Sequence, residues 1–129
     1  MISLTRSRAS AKAAGTRFES AIAACLAEHL DDRIERRART GAKDRGDISG
    51  VRVHGQRLVL ELKDCARMDL AGWVKEAQEE AANDGALLGV TVHKRRGRGD
   101  PLDQYVTCTV RELISLISGQ RVSGMSEAV

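Results

Sequence analysis

The chain has 129 residues, 42% of them hydrophobic and 30% charged. That composition excludes wholesale disorder and gives a single domain with a core of its own. Three aromatic side chains, Phe18, Trp73 and Tyr105, exclude single-strand recognition by stacked aromatics; the formal charge of +3 matters less for its size than for where it clusters.

Residues 1–9 read as a flexible basic tail. From Ala11 to Leu30 the spacing of Phe18, Ile22, Leu26 and Leu30 predicts a helix, with Gly15 weakening its first turn so that the stable part begins near Thr16. Glu19 lies on or beside the buried stripe of that helix, because Ile22, Ala23, Leu26 and Leu30 follow it at helical spacing. A carboxylate there must be satisfied by a partner. Residues 31–46 are polar, basic and glycine-containing. They predict a short strand or turn near Ile34 and then a loop.

Asp47 opens DISGVRV, which predicts a strand. HGQ supplies a turn and RLVLELK a second, antiparallel strand. Leu70 to Asn83 predicts a helix with Leu70, Trp73, Val74, Ala77 and Ala81 on one face, ended by Asn83-Asp84-Gly85. ALLGVTVH, residues 86–93, reads as a strand covered on both faces. After the loop KRRGRGDP comes a strand from Tyr105 to Cys108. Thr109 and Glu112 then suggest a capping box for a last helix, and residues 119–129 read as a disordered tail. The order α-β-β-α-β-β-α, with one further short strand, gives an α/β sandwich.

The three cysteines, Cys25, Cys65 and Cys108, have no paired spacing, which argues against a disulfide framework or a structural zinc site. No apolar run approaches bilayer length, and the first ten residues lack the apolar core of a signal peptide. A cytoplasmic location is the expectation.

Basic residues fall in two clusters. Arg33, Arg36, Arg37, Arg39, Lys43 and Arg45 form one; His93, Lys94, Arg95, Arg96 and Arg98 form the other. Clustered Arg and Lys suit a phosphate backbone.

The chemistry lies in LVLELK. Alternation sends Leu58, Leu60 and Leu62 one way and Val59, Glu61 and Lys63 the other. Glu61 and Lys63 then stand side by side, with Cα atoms about 6.6 Å apart. The hairpin returns Asp47 toward their level, in a register that the sequence leaves open. Two carboxylates so close repel each other unless one takes a proton or a cation joins them. Oxygen ligands without nearby nitrogen or sulfur suit magnesium or manganese. With Lys63 beside them, these parts fit metal-assisted phosphodiester hydrolysis. They also fit a cross-strand ion-pair network.

Gly15-Thr-Arg-Phe-Glu19, Gly46-Asp47-Ile48 and Val59-Leu-Glu61-Leu-Lys63, in that order, resemble the PD-(D/E)XK nuclease superfamily. They are most similar to the archaeal-type and phage Holliday junction resolvases. Trp73 to Gln78 and GVTVHKRRG are similar to the same group, so the likeness spans residues 15–117. The resemblance implies a restriction-endonuclease-like mixed central sheet flanked by helices, in one nuclease domain over residues 10–118. It implies Asp47 and Glu61 as metal-binding carboxylates, Glu19 as a helix-borne acid completing the site, and Lys63 as the catalytic lysine. Gln78 and Thr40 match supporting positions. Gly46 stands where the family pattern has proline. The implied cofactor is Mg2+, with Mn2+ as a substitute. The implied substrate is branched DNA such as a four-way junction, cut by a homodimer in a bacterial or phage-infected cell. Arg36, Arg37, Arg39, Lys43, Arg45, Lys94, Arg95, Arg96 and Arg98 then become candidate phosphate contacts. The rivals are another nuclease of this superfamily (restriction-type, repair nickase or exonuclease) and a non-catalytic basic DNA-binding protein. The last gains nothing from carboxylates facing a polyanion.

Overall fold

A computed structural model describes residues 7–37 and 47–122. Arg39, Thr40, Lys43, Arg45 and Gly46 therefore lie outside the described residues, as do most of the two tails.

Helix α1 runs from Arg8 to His29, starting before the expected Ala11. The Ser7 hydroxyl caps it by accepting from the Ser10 N–H at 3.1 Å. The helix continues through Gly15, because Ala14 and Phe18 on either side of it are both buried. Ala14, Phe18, Ile22 and Ala23 make its inner stripe.

Strands β1 (Glu35–Arg36) and β2 (Ile48–Ser49) pair antiparallel. The expected single strand DISGVRV is broken at Gly50, which has φ 91°. A Cβ there would meet the Arg33 carbonyl oxygen at 2.9 Å. Strand β3 (Arg52–Val53) resumes after it and turns through His54 and Gly55 into β4 (Gln56–Lys63). Both turn residues have positive φ, at 53° and 70°, as a two-residue hairpin of this twist requires.

The break shifts the register. Val51 bonds Leu58 and Arg52 pairs with Arg57, yet Ile48 pairs with Leu60. Three steps on one strand match two on the other, the signature of a β-bulge. Carried one step further, the ladder sets Asp47 across from Glu61. Without the bulge it would stand across from Leu62, on the core side.

Helix α2 (Leu70–Asp84) joins β4 to β5 (Leu88–His93), and these two strands are parallel, from Leu58↔Leu88 to Lys63↔His93. A 3-10 turn (Pro101–Asp103) leads to β6 (Tyr105–Thr107), antiparallel to β5, and α3 (Val110–Ser118) follows. The result is a mixed, open sheet in the order β1-β2-β4-β5-β6, with β3 attached to β4 and helices packed against it.

Its two faces follow the alternation in β4 and β5. Leu60, Leu62, Leu88, Val90 and Val92 join Phe18, Ile22 and Ala23 of α1 in the main core. Val59 points to the other side and packs with Ala81 and Ala86. There α2 lies directly on β5: a Cβ on Gly89 would fall 2.1 Å from the Ala77 carbonyl oxygen. The Thr91 hydroxyl donates to the Trp73 carbonyl at 3.1 Å. Leu70, expected on the inner face of α2, is exposed.

Helix α3 departs from expectation. The Thr109 side chain makes no bond to the helix backbone; its hydroxyl meets the Glu112 carboxylate instead, so no reciprocal capping box forms. Glu112 and Ser115 face inward and are buried, while Val110, Leu113, Ile114 and Ile117 are 46–71% exposed. The helix is amphipathic with its apolar stripe turned outward. Among the described residues no helix is long and apolar enough to cross a membrane.

Candidate acidic site at the ends of the parallel strands

Strands β4 and β5 end together at Lys63 and His93, and the Lys94 N–H donates to the Lys63 carbonyl at 2.9 Å. In open α/β sheets, ligands bind at the carboxyl ends of parallel strands. Glu61 sits just inside this end, 6% exposed. Its Oε1 lies 3.4 Å from Lys63 Nζ. Its Oε2 is buried and accepts no hydrogen bond.

Helix α2 supplies the other acids. Glu76 and Glu80 stand four residues apart, hence on one side of the helix. The Lys63 ammonium donates to Glu76 Oε2 at 2.7 Å, and Glu80 is 4% exposed. One carboxylate oxygen from each of Glu61, Glu76 and Glu80 lies within 4.8 Å of the others. These three glutamates could hold a metal ion. Burial pulls the Lys63 pKa down, but the Glu76 hydrogen bond and the charges of Glu61 and Glu76 outweigh it, so the net shift is upward.

Asp47 reaches the same strand from β2. Its N–H donates to the Leu60 carbonyl at 3.0 Å. Its Oδ2 accepts from the Leu62 N–H at 2.7 Å, on the peptide that joins Glu61 to Leu62. Asp47, Glu61 and Lys63 are thus neighbours on the β2–β4 ladder, although Asp47 is not among the three carboxylates that cluster.

Glu19, half-buried on α1, is not one of the three carboxylates that cluster. Its Oε1 accepts from Arg36 Nε at 2.9 Å, so an arginine answers its demand for a partner. Gln78 donates to Glu112 Oε1 at 2.6 Å. That contact lies beside a cleft of about 540 Å3 at the other end of β5, where Arg111 and Arg121 bind the carbonyls of Val122 and Ala86.

The basic clusters are partly committed. Arg36 holds Glu19, and the Arg37 N–H donates to the Asp47 carbonyl at 2.7 Å. His93, counted with the second cluster, is buried between the rings of Trp73 and Tyr105. Its Nε2 lies 2.8 Å from the Thr107 hydroxyl, and burial lowers its pKa. It is a neutral packing residue. Lys94 donates to the carbonyls of Arg95 and Arg98. Arg95 stacks on Tyr105, 4.4 Å from the ring centroid, and donates to the Asp103 carbonyl. These contacts shape the loop and leave Arg96 and Arg98 exposed on it. All three cysteines are free thiols; burial pushes Cys25 and Cys108 up, away from nucleophilic thiolates.

Glu76 and Glu80 were not singled out from the sequence, yet a signal existed. Glu80 falls on the stripe Trp73, Ala77, Ala81, Asp84 that α2 buries. A carboxylate on a buried stripe is as costly there as at Glu19.

No protein-family model matches the chain, and no curated protein or solved structure matches it.

Proposed function

We propose that this protein is a divalent-cation-dependent endonuclease that cuts branched DNA, of the resolvase type on a restriction-endonuclease-like fold. The observation that carries the reading is the placement of Lys63. Its ammonium lies against the buried Glu61 carboxylate and the half-exposed Glu76 carboxylate, at the shared end of two parallel strands. A loop presenting Arg96 and Arg98 begins one residue beyond His93.

The donor set fits a hard cation. All of its groups are carboxylates, and Glu61 Oε2 is a buried oxygen with no hydrogen-bond partner. Glu61 would hold the ion, with Asp47 beside it on the ladder. Mg2+ suits such ligands, and Mn2+ substitutes. A bound cation supplies activated water and offsets charge on the phosphate. Lys63 orients a phosphate oxygen or the attacking water as a point charge. Arg96 and Arg98 hold the backbone without reading sequence.

Resolving a four-way junction takes two cuts, which calls for two copies related by a two-fold axis. The outward stripe Val110, Leu113, Ile114, Ile117 supports this. Its i, i+3, i+4, i+7 spacing is a seam that a second identical helix can match. Leu102, Tyr105 and Val106 are exposed as well.

The test incubates wild type with a labelled four-way junction and a linear duplex of the same arms, with Mg2+ or with EDTA. Cleavage of the junction, dependent on Mg2+ and faster than that of the duplex, is expected. Equal cutting of both would reassign the protein to a general nuclease. Binding without cutting in any metal would leave a DNA-binding protein.

A further inference from the structure

We infer that Glu61, Glu76 and Glu80 form a divalent-cation site on the α2 side of β4, and that the Lys63 ammonium competes for it. The site differs from an Asp47–Glu61 pair, because two of its three ligands come from the helix.

Charge is the first reason. Three carboxylates converge within 4.8 Å and Lys63 contributes one positive charge. Ionised carboxylates this close repel one another, and a divalent ion held among them relieves that repulsion. The repulsion is costly here because Glu61 and Glu80 are 6% and 4% exposed. Glu80 makes a further polar interaction of its own. The second reason is independent of charge counting: Glu61 Oε2 is buried without a hydrogen-bond donor. A buried carboxylate oxygen ordinarily has one, and a cation satisfies it without a donor.

Lys63 is the tethered stand-in. Its Nζ lies 2.7 Å from Glu76 Oε2 and 3.4 Å from Glu61 Oε1, touching two of the three ligands. A metal among the carboxylates repels the ammonium. Metal binding therefore frees Lys63. Glu76, with its side chain 50% exposed, is the ligand best able to change partners and gives the ion its route from solvent. The binding claim stands on these side chains alone. Only its consequence, that the freed Lys63 turns to a phosphate when metal arrives, rests on the nuclease reading.

The probe is Mn2+ alone, with free Mn2+ counted by electron paramagnetic resonance against the full chain. One ion per chain is expected. Glu76→Gln and Glu80→Gln should each weaken binding by about tenfold or more. Because Glu76 is half exposed, its variant keeps the fold even if the Glu80 variant does not. Lys63→Met should tighten binding by about fivefold or more, since the competitor is gone. Two results overturn the site: no saturable binding in wild type and Lys63→Met alike, or unchanged binding in Glu76→Gln. Weaker binding in Lys63→Met overturns the competition. A protein that binds Mn2+ as expected but cuts no DNA upholds the site and sinks the nuclease reading. One that cuts DNA with binding indifferent to Glu76 does the reverse.

Discussion

Lys63 donates to Glu76 across the gap between β4 and α2, with 2.7 Å between Nζ and Oε2. The contact ties the strand end that carries Glu61 to the helix that carries Glu80. It makes Lys63 an internal counter-ion of the acidic group, and it holds the lysine on the α2 face of the sheet. Everything proposed about chemistry here depends on whether that ammonium can be turned to another anion.

Packing between α2 and β5 sets the distance across that gap. Gly89→Ala would drive a Cβ into the Ala77 carbonyl, backbone against side chain with no room to yield. A loss of at least about 3 kcal/mol is expected in urea unfolding, at the upper end of overpacking costs. Gly15→Ala is the control. A Cβ there meets nothing within 4 Å, inside a helix, so a gain of about 0.5–1 kcal/mol is expected.

Burial of His93 makes stability depend on mild acid. Its pKa is lowered from 6.5, so the folded state keeps the ring neutral where the unfolded chain takes a proton. Stability is then fully present above about 6.5 and falls as pH drops from there toward the lowered value. His93→Gln should flatten the dependence of the urea midpoint between pH 7.5 and 5. An unchanged slope would mean that the ring is not what the acid attacks.

The loop after β5 divides into residues that shape it and residues that are exposed. Arg96→Ala and Arg98→Ala should weaken DNA binding and each lower the log–log salt slope by about 0.9. Lys94→Ala should instead disturb the loop itself, through its carbonyl contacts. Circular dichroism and a DNA titration separate the two effects.

The outward stripe of α3 predicts self-association. Sedimentation should give a dimer, and Ile117→Glu, placing a charge where a side chain is now 71% exposed, should give a folded monomer. A monomeric wild type at tens of micromolar would remove the second copy from the account.

Element types were legible because alternation and helical spacing are local. LVLELK separated its leucines from Glu61 and Lys63 as predicted, and Asn83-Asp84-Gly85 ended α2, with Gly85 at φ 64°. What stayed hidden was non-local. The place of Asp47 depends on a one-residue slip at Gly50, which follows from a close approach to Arg33 that no periodicity reveals. Glu19 carried the right demand for a partner, but Arg36 and a metal answer that demand equally well on paper. The α2 acids were hidden differently: Glu80 lies in an ordinary-looking EE pair, and only the Trp73–Ala77–Ala81 stripe marks it as inward.

The central claim is tested most directly at Glu61. Single-turnover cleavage of a labelled four-way junction in Mg2+ compares wild type with Glu61→Gln, while junction affinity is measured in Ca2+. Cleavage should fall by at least about 100-fold with affinity retained. Undiminished cleavage by Glu61→Gln would contradict the account.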